Sequence, residues 1–334
     1  MKKTLTMLLA LLMAACLFAV PASAAEITLQ LSEVHADGYP TSLADLEFAR
    51  LVKERTNGRI EIEVFTGGTL YGAEPDAIIA LQNGSLGFTR VSASPVGNFV
   101  PAINAIQMPY LYKNKAHMWA VLNGEIGQGI LSEIEKAPNS GLVGLAYYDA
   151  GSRSFYLTKE VHTVADLAGL KIRMQDNKMM LRMVELLGAI GVSGIGPNEV
   201  YSNIVTKVID GAENNWPTYQ NMGDYEAAKY YILDQHTRVP EILLASQAVM
   251  DSLSAEDQAL IREIAVEVQA YEIEQWELKE KSSEEIVRAA GTTVIELTDE
   301  ARAEFEEKML PLYDEFGADY KDIIDQIKAL GADF

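Results

Sequence analysis

Three side chains near the middle of the chain have the chemistry to hold an anion: Arg153, Arg173 and Asn214. Arg173 sits in Leu170-Lys171-Ile172-Arg173-Met174. Strand alternation turns the three apolar residues to one face and the two cations to the other. A guanidinium on a mostly apolar strand needs an anionic partner, and it meets a carboxylate with two parallel N–H bonds. The pattern leaves that partner open: a bound acid, or Asp176 or Glu213 of the same chain. Arg153 follows the small residues of Asp149-Ala150-Gly151-Ser152, which read as a crossing between domains. From there a cation can reach a cleft; the alternative is an exposed strand charge. Asn214 ends Asp210-Gly211-Ala212-Glu213, and its amide both donates and accepts, which suits a carboxylate or a hydroxyl. Asn215 extends the same edge, and Glu213 reads as support for its neighbours. Trp216 offers a flat apolar face with an N–H handle, useful against a sugar ring or equally as lobe filling. Gln175 and Asn177 follow the strand that carries Arg173.

The elements around these residues must bring two strand ends together. After strand 170–174 comes a helical pattern, Met179, Met180, Met183, Leu186 and Leu187, stopped by Gly188. A helix started by Pro197 and a second strand, Val208-Ile209-Asp210, complete a strand–helix–helix–strand unit. Its two strand ends converge at one sheet edge, where ligands bind in open α/β sheets. Upstream, strand 27–31, a helix capped by Thr41 or Ser42 and running to Arg55, strand 59–65, helix 74–83 and strand 86–92 predict a parallel sheet with right-handed crossovers. The opposite wall of a cleft would come from this part. Its candidates are His35 and Asp37 in the first loop, Glu74 after the glycine loop 67–72, and Arg90 with Ser92 at a strand end. A site built for hydroxyls rejects a plain dicarboxylate because each polar group left unpaired costs about 1–3 kcal/mol.

Further along, strands are expected at 142–148, 241–250 and 293–297, one long helix from Ser254 to about Ala290, and helix from Asp299 to about Leu330. Two α/β lobes with more than one crossing make a clamshell that closes on a hinge. The lobes are expected at 25–149 plus 239–278 and at 150–238 plus 279–334.

Composition narrows the function. A hydrophobic content of 49% supports a sizeable core in 334 residues, and a net charge of −21 speaks against nucleic acid as the main partner. Such a charge repels an anionic ligand only weakly, because screening acts within about 8 Å at physiological salt. Lys2 and Lys3, the apolar run from Leu5 to Val20 and Ala22-Ser23-Ala24 predict a signal peptide over 1–24. The apolar run of about 16 residues is shorter than the roughly 20 of a membrane span. Cys16 is the one cysteine, so cleavage after Ala24 leaves none; lipidation at Cys16 is the alternative. The four histidines lack metal-ligand spacing, and Gly191 to Gly196 lacks a nucleotide fingerprint. No nucleophile–base pair emerges, so no catalytic residue, metal or cofactor is expected.

Read in order, several stretches carry a resemblance to one family. They are Thr56 to Glu74 (TNGRIEIEVFTGGTLYGAE), Pro109-Tyr110-Leu111-Tyr112, Gly151 to Tyr156 (GSRSFY), Gly169 to Arg173 (GLKIR) and Val208 to Asn214 (VIDGAEN). In this order they resemble the DctP-like substrate-binding proteins of tripartite ATP-independent periplasmic (TRAP) transporters. The resemblance implies a two-lobed periplasmic-binding-protein clamshell with a long helix spanning both lobes. It implies a non-enzymatic periplasmic receptor, expected as a monomer, that hands an organic acid to a membrane permease. It also implies that Arg173 holds the ligand carboxylate, that Arg153 is a second ligand arginine, and that Asn214 touches the ligand. The run Glu213 to Tyr219, the loop from His35 through Asp37 to Pro40, and Arg90-Val91-Ser92 are similar to a sugar-acid-binding subgroup. That similarity implies a hexuronate, D-glucuronate or D-galacturonate. A C4-dicarboxylate or another hydroxy acid is the alternative, and a periplasmic sugar-acid enzyme a third reading.

Overall fold

A computed structural model describes residues 25–334; the expected signal peptide, 1–24, lies outside the described residues. The chain opens with β1 (Ile27–Ser32), α1 (Pro40–Arg55), β2 (Ile60–Phe65), α2 (Glu74–Gln82) and β3 (Phe88–Ser92). α1 buries Ala44, Phe48, Leu51 and Val52, the spacing of one helix face. Its cap is Tyr39, not Thr41 or Ser42, because Pro40 fits the first helical turn. The Ser42 hydroxyl instead donates back to the carbonyls of Ala36 and Tyr39. Two helices follow, α3 (Lys115–Asn123) and α4 (Glu125–Lys136), then β4 (Leu142–Tyr148).

The chain then crosses over and builds β5 (Ser154–Leu157), β6 (Lys171–Arg173), α5 (Lys178–Leu186), β7 (Ile190–Val192), β8 (Gly211–Asn214), α6 (Trp216–Asn221) and β9 (Tyr230–Ile232). It returns as β10 (Glu241–Ser246), runs through α7 (Ala255–Ala289), adds β11 (Thr293–Ile295), and ends in α8 (Asp299–Met309), α9 (Pro311–Gly317) and α10 (Lys321–Leu330). One sheet has the order β2-β1-β3-β10-β4 and the other β11-β9-β5-β8-β6-β7. β1 is parallel to β2 and β3, as the alternating pattern predicts. β10 is antiparallel to both β3 and β4, since it arrives from the other lobe.

Three expectations shift. The strand placed at 208–210 lies at β8, because Lys207 takes a left-handed backbone (φ 61°) and Val208 is half exposed. β8 begins at Gly211, where a Cβ would sit 2.1 Å from the Tyr156 carbonyl oxygen, so only glycine lets the strand pair there. The strand expected to reach 250 stops at Ser246, whose hydroxyl caps a short helix over Gln247–Ser252. The helix expected over 299–330 is broken by Pro311, which begins a new segment rather than continuing the old one. The last of these segments, α10, packs on α3: His117 Nε2 lies 2.9 Å from the Ile327 carbonyl oxygen.

α7 joins the two halves. Ser254 caps it, and its 35 residues span about 52 Å at 1.5 Å per residue. Ile261, Ile264, Ala265 and Val268 pack into the core under the first sheet, and Val287 into the core under the second. Between them Trp276 packs with Tyr39 and Ala150. Where the chain crosses between sheets, Arg153 and Thr237 form an antiparallel bridge. Gly151 (φ +59°) is required there, since a Cβ would lie 2.3 Å from Glu280 Oε1.

Candidate ligand-binding site

β6 and β8 end side by side in the second sheet, and their ends face the end of β3 and the start of β10 in the first. The cleft between them holds about 560 Å³ of empty space, its open mouth included. The walls already touch. Tyr39 Oη lies 2.9 Å from Thr218 Oγ1, Gln175 Nε2 donates to Ser92 Oγ (2.8 Å), and Asn177 Nδ2 donates to the Ser94 carbonyl (2.6 Å). Gly97 makes room for Asn177; a Cβ there would be 2.9 Å from its Nδ2.

Three buried arginines line this space, and they differ in how many of their five N–H donors are engaged. Arg90 has none left. Its Nε and Nη2 hold Glu33, Nη2 also meets His35 Nδ1 (2.7 Å), and Nη1 holds Glu74 (2.9 Å) and Glu241 (2.6 Å). Arg153 has one left. Its Nε and Nη2 hold the Glu213 carboxylate, Nη2 also donates to the Glu213 carbonyl, and Nη1 donates to Asn214 Oδ1 (3.0 Å). Arg173 is free at both terminal amines. Only its Nε is engaged, on the Ile195 carbonyl (2.9 Å), and no carboxylate among the described residues pairs with it. The two in-chain partners left open by the sequence are committed elsewhere: Asp176 accepts from Gly194 N, and Glu213 belongs to Arg153.

Asn214 completes this wall. Its Oδ1 accepts from Arg153 Nη1 and from Asn215 N, which leaves the Nδ2 donors for the cleft. The second sheet therefore presents donors and one uncancelled positive charge.

The facing wall presents acceptors. Three carboxyl groups surround the single guanidinium of Arg90. Glu74 Oε2 and Glu241 Oε1 have no partner among the described residues, and both side chains line the cleft. Burial would raise Glu33, but Arg90 and His35 hold its pKa well below the ordinary carboxylate value. Burial pushes Glu241 up to about 7, against the pull of Arg90. Burial and Arg90 lower His35, whose ring stacks on Tyr39 and stays neutral. Gln175 Oε1 is a further buried acceptor with no partner.

Of the residues singled out in the sequence, Arg153, Arg173, Asn214, Gln175, His35, Glu74, Arg90 and Ser92 line the cleft. Arg90, expected on the first lobe's wall, has all its donors engaged by Glu33, His35, Glu74 and Glu241. Three candidates fall outside the lining. Asp37 is exposed and accepts from Thr66 Oγ1 (2.7 Å). The Asn215 side chain caps α6 by accepting from Thr218 N (2.8 Å). Trp216 turns into the second lobe's core, stacked on Tyr231 with 3.8 Å between centroids. Sequence reasoning missed Glu241, Thr218 and Glu33. Glu241 did carry a signal: a carboxylate opening the otherwise apolar Ile242-Leu243-Leu244-Ala245.

The chain is similar to known solute-binding proteins. Residues 31–319 match the family model described as bacterial extracellular solute-binding protein, family 7 (DctP). A solute-binding protein of Chromohalobacter salexigens is 34% identical over 291 residues, 87% of this chain and 84% of that one. A TRAP periplasmic solute-binding protein from Pseudomonas putida, solved with bound D-glucuronate, superposes with a TM-score of 0.87 at 36% identity, covering 90% of this chain and 97% of that one. Another from Xanthobacter autotrophicus, solved with bound β-D-galacturonate, gives 0.86 at 39% identity, covering 90% and 99%. The chain belongs to the DctP family of TRAP transporter solute-binding proteins, a family of non-enzymatic receptors.

Proposed function

We propose that this receptor captures a hexuronate, D-glucuronate or D-galacturonate, in the periplasm and delivers it to a TRAP permease. The observation that carries the reading is the unpaired, buried guanidinium of Arg173 facing an acceptor wall. The ligand carboxylate takes the two terminal amines of Arg173 in a bidentate contact, with the remaining Arg153 donor and the Asn214 amide beside it. Hydroxyls at the other end donate to Glu74, Glu241 and Gln175 Oε1. A C4-dicarboxylate would set its second carboxylate against Glu74 and Glu241; like charges about 4 Å apart repel by on the order of 4 kcal/mol at an effective dielectric of 20. The uronates bound to the relatives at 36% and 39% identity support the same reading. Residues 1–24 are removed on export, and the lobes divide at 25–149 plus 239–278 and 150–238 plus 279–334, with α10 reaching back onto α3 of the first lobe.

A thermal-shift comparison tests the ligand class. At 100 times its dissociation constant a bound ligand adds about 2.7 kcal/mol of stability. Each uronate is therefore expected to raise the unfolding midpoint by several degrees, and succinate to leave it unmoved. A succinate shift as large as the uronate shift would sink the hexuronate reading. N-terminal sequencing of the exported protein is expected to begin at Ala25.

A further inference from the structure

Behind Arg153 four ionisable groups stand in a row. Asp234 Oδ2 lies 2.7 Å from His236 Nδ1, and His236 Nε2 lies 3.5 Å from Glu213 Oε2. Glu213 in turn holds Arg153. All four are buried. The 3.5 Å spacing is an electrostatic contact rather than a formed hydrogen bond. Phe155 stacks on the imidazole at 4.4 Å between centroids. The ring sits in the strap that returns from β9 to β10. Its backbone carbonyl accepts from Tyr110 N, and the next residue, Thr237, bridges to Arg153.

We propose that His236 is a positioning residue for ligand capture: held as an imidazolium between two carboxylates, it offsets Glu213 and so lets Arg153 present its charge to the bound acid. This rests on the receptor reading above. With the proton on His236 the row alternates minus, plus, minus, plus and sums to zero. Without the proton it carries a net negative charge directly behind the donors that must grip a carboxylate.

The surroundings favour the charged ring. Burial disfavours it, but Asp234 and Glu213 raise its pKa to about 9. Burial would raise Glu213, yet Arg153 and His236 hold it at about 2. Asp234 Oδ1 accepts from Phe155 N, and Arg302 donates to the carbonyls of Leu233 and Asp234. The Tyr110 hydroxyl, close enough to feel Asp234 and Arg302, is raised by burial and stays neutral. Glu241 acts on Arg153 from across the cleft.

The test is the pH dependence of D-glucuronate and D-galacturonate binding, by calorimetry from pH 7 to 10. In the wild type, Kd is expected to weaken about tenfold as the pH passes through about 9. His236→Gln is expected to bind about tenfold more weakly at pH 7, with no step near pH 9. Asp234→Asn keeps the ring but removes its stronger partner, and should move the wild-type midpoint down by a unit or more. A folded His236→Gln with wild-type Kd and pH profile overturns the inference. So does an Asp234→Asn midpoint that stays in place, which decides the matter even if the histidine variant does not fold. A wild type that binds neither uronate removes the receptor's hexuronate reading and this inference with it; binding that is indifferent to His236 removes the inference alone.

Discussion

Arg90 and Arg173 lie on opposite walls of one cleft, both buried, both on strands, and their situations are opposite. Arg90 gives every donor to Glu33, Glu74, Glu241 and His35. Arg173 gives one to a backbone carbonyl. Burial alone therefore does not mark a ligand arginine. What marks it is the number of donors the protein leaves unengaged in a place where water is scarce. A guanidinium among carboxylates belongs to the fold; one without them waits for an anion from outside.

The largest expected effect separates the two through stability. Arg90→Gln leaves three carboxyl groups around an uncharged side chain, and removing one partner of a buried ion network costs about 3–5 kcal/mol. Urea unfolding of the ligand-free protein measures it. Arg173→Lys, with no carboxylate to abandon, should change the same quantity by less than about 1 kcal/mol. Equal losses would break the comparison.

Affinity should reverse the order. Arg173→Lys replaces a two-pronged contact with a point charge, and uronate Kd is expected to rise about 30-fold or more, roughly 2 kcal/mol. Calorimetry at pH 7 gives the number, and an unchanged Kd would take Arg173 out of the site.

A third variant sharpens the acceptor wall. At pH 8, where Glu241 is mostly ionised, Glu241→Gln keeps a carbonyl acceptor and removes a charge, so uronate Kd should change by less than about fivefold while succinate binding becomes measurable. Continued rejection of succinate would move the source of selectivity elsewhere.

The smallest effect concerns pH. Asp45 on α1 is buried, both its carboxyl oxygens lack partners, and burial with Glu33 nearby pushes its pKa well above the ordinary value. A carboxyl raised on folding contributes stability that is intact at acid pH and lost as the pH climbs through the raised value. Asp45→Asn should therefore be more stable than wild type at pH 8, with the difference vanishing at pH 4, read from unfolding midpoints at the two values. The opposite sign would mean that Asp45 is ionised in the folded protein.

Much of this architecture was legible in the chain. Alternation located β1 and β2, and Ser254 marked the cap of α7. Alternation also set Arg173 apart as a cation on an apolar strand. What stayed hidden depends on distance along the chain. Arg90 meets Glu33 across 57 positions and Glu241 across 151, and no local pattern reveals that an arginine will be saturated. Asp234, His236 and Glu213 come together only because β9 and β10 flank a strap against β5 and β8. The capping role of the Asn215 side chain was readable: Asn215-Trp216-Pro217-Thr218 is a helix start, with the asparagine as cap and proline in the first turn. Trp216, next to it, was pulled inward by an aromatic cluster with Tyr219 on the same helix and Tyr231 on a separate strand.

The opposed character of the two walls has a consequence beyond choosing an occupant. A molecule with an acid group at one end and hydroxyls along the rest can lie in this cleft one way round, its head towards β6 and its tail towards β3. On the proposed reading every cargo loaded here travels with the same heading, and whatever opens the lobes meets the same end of it each time.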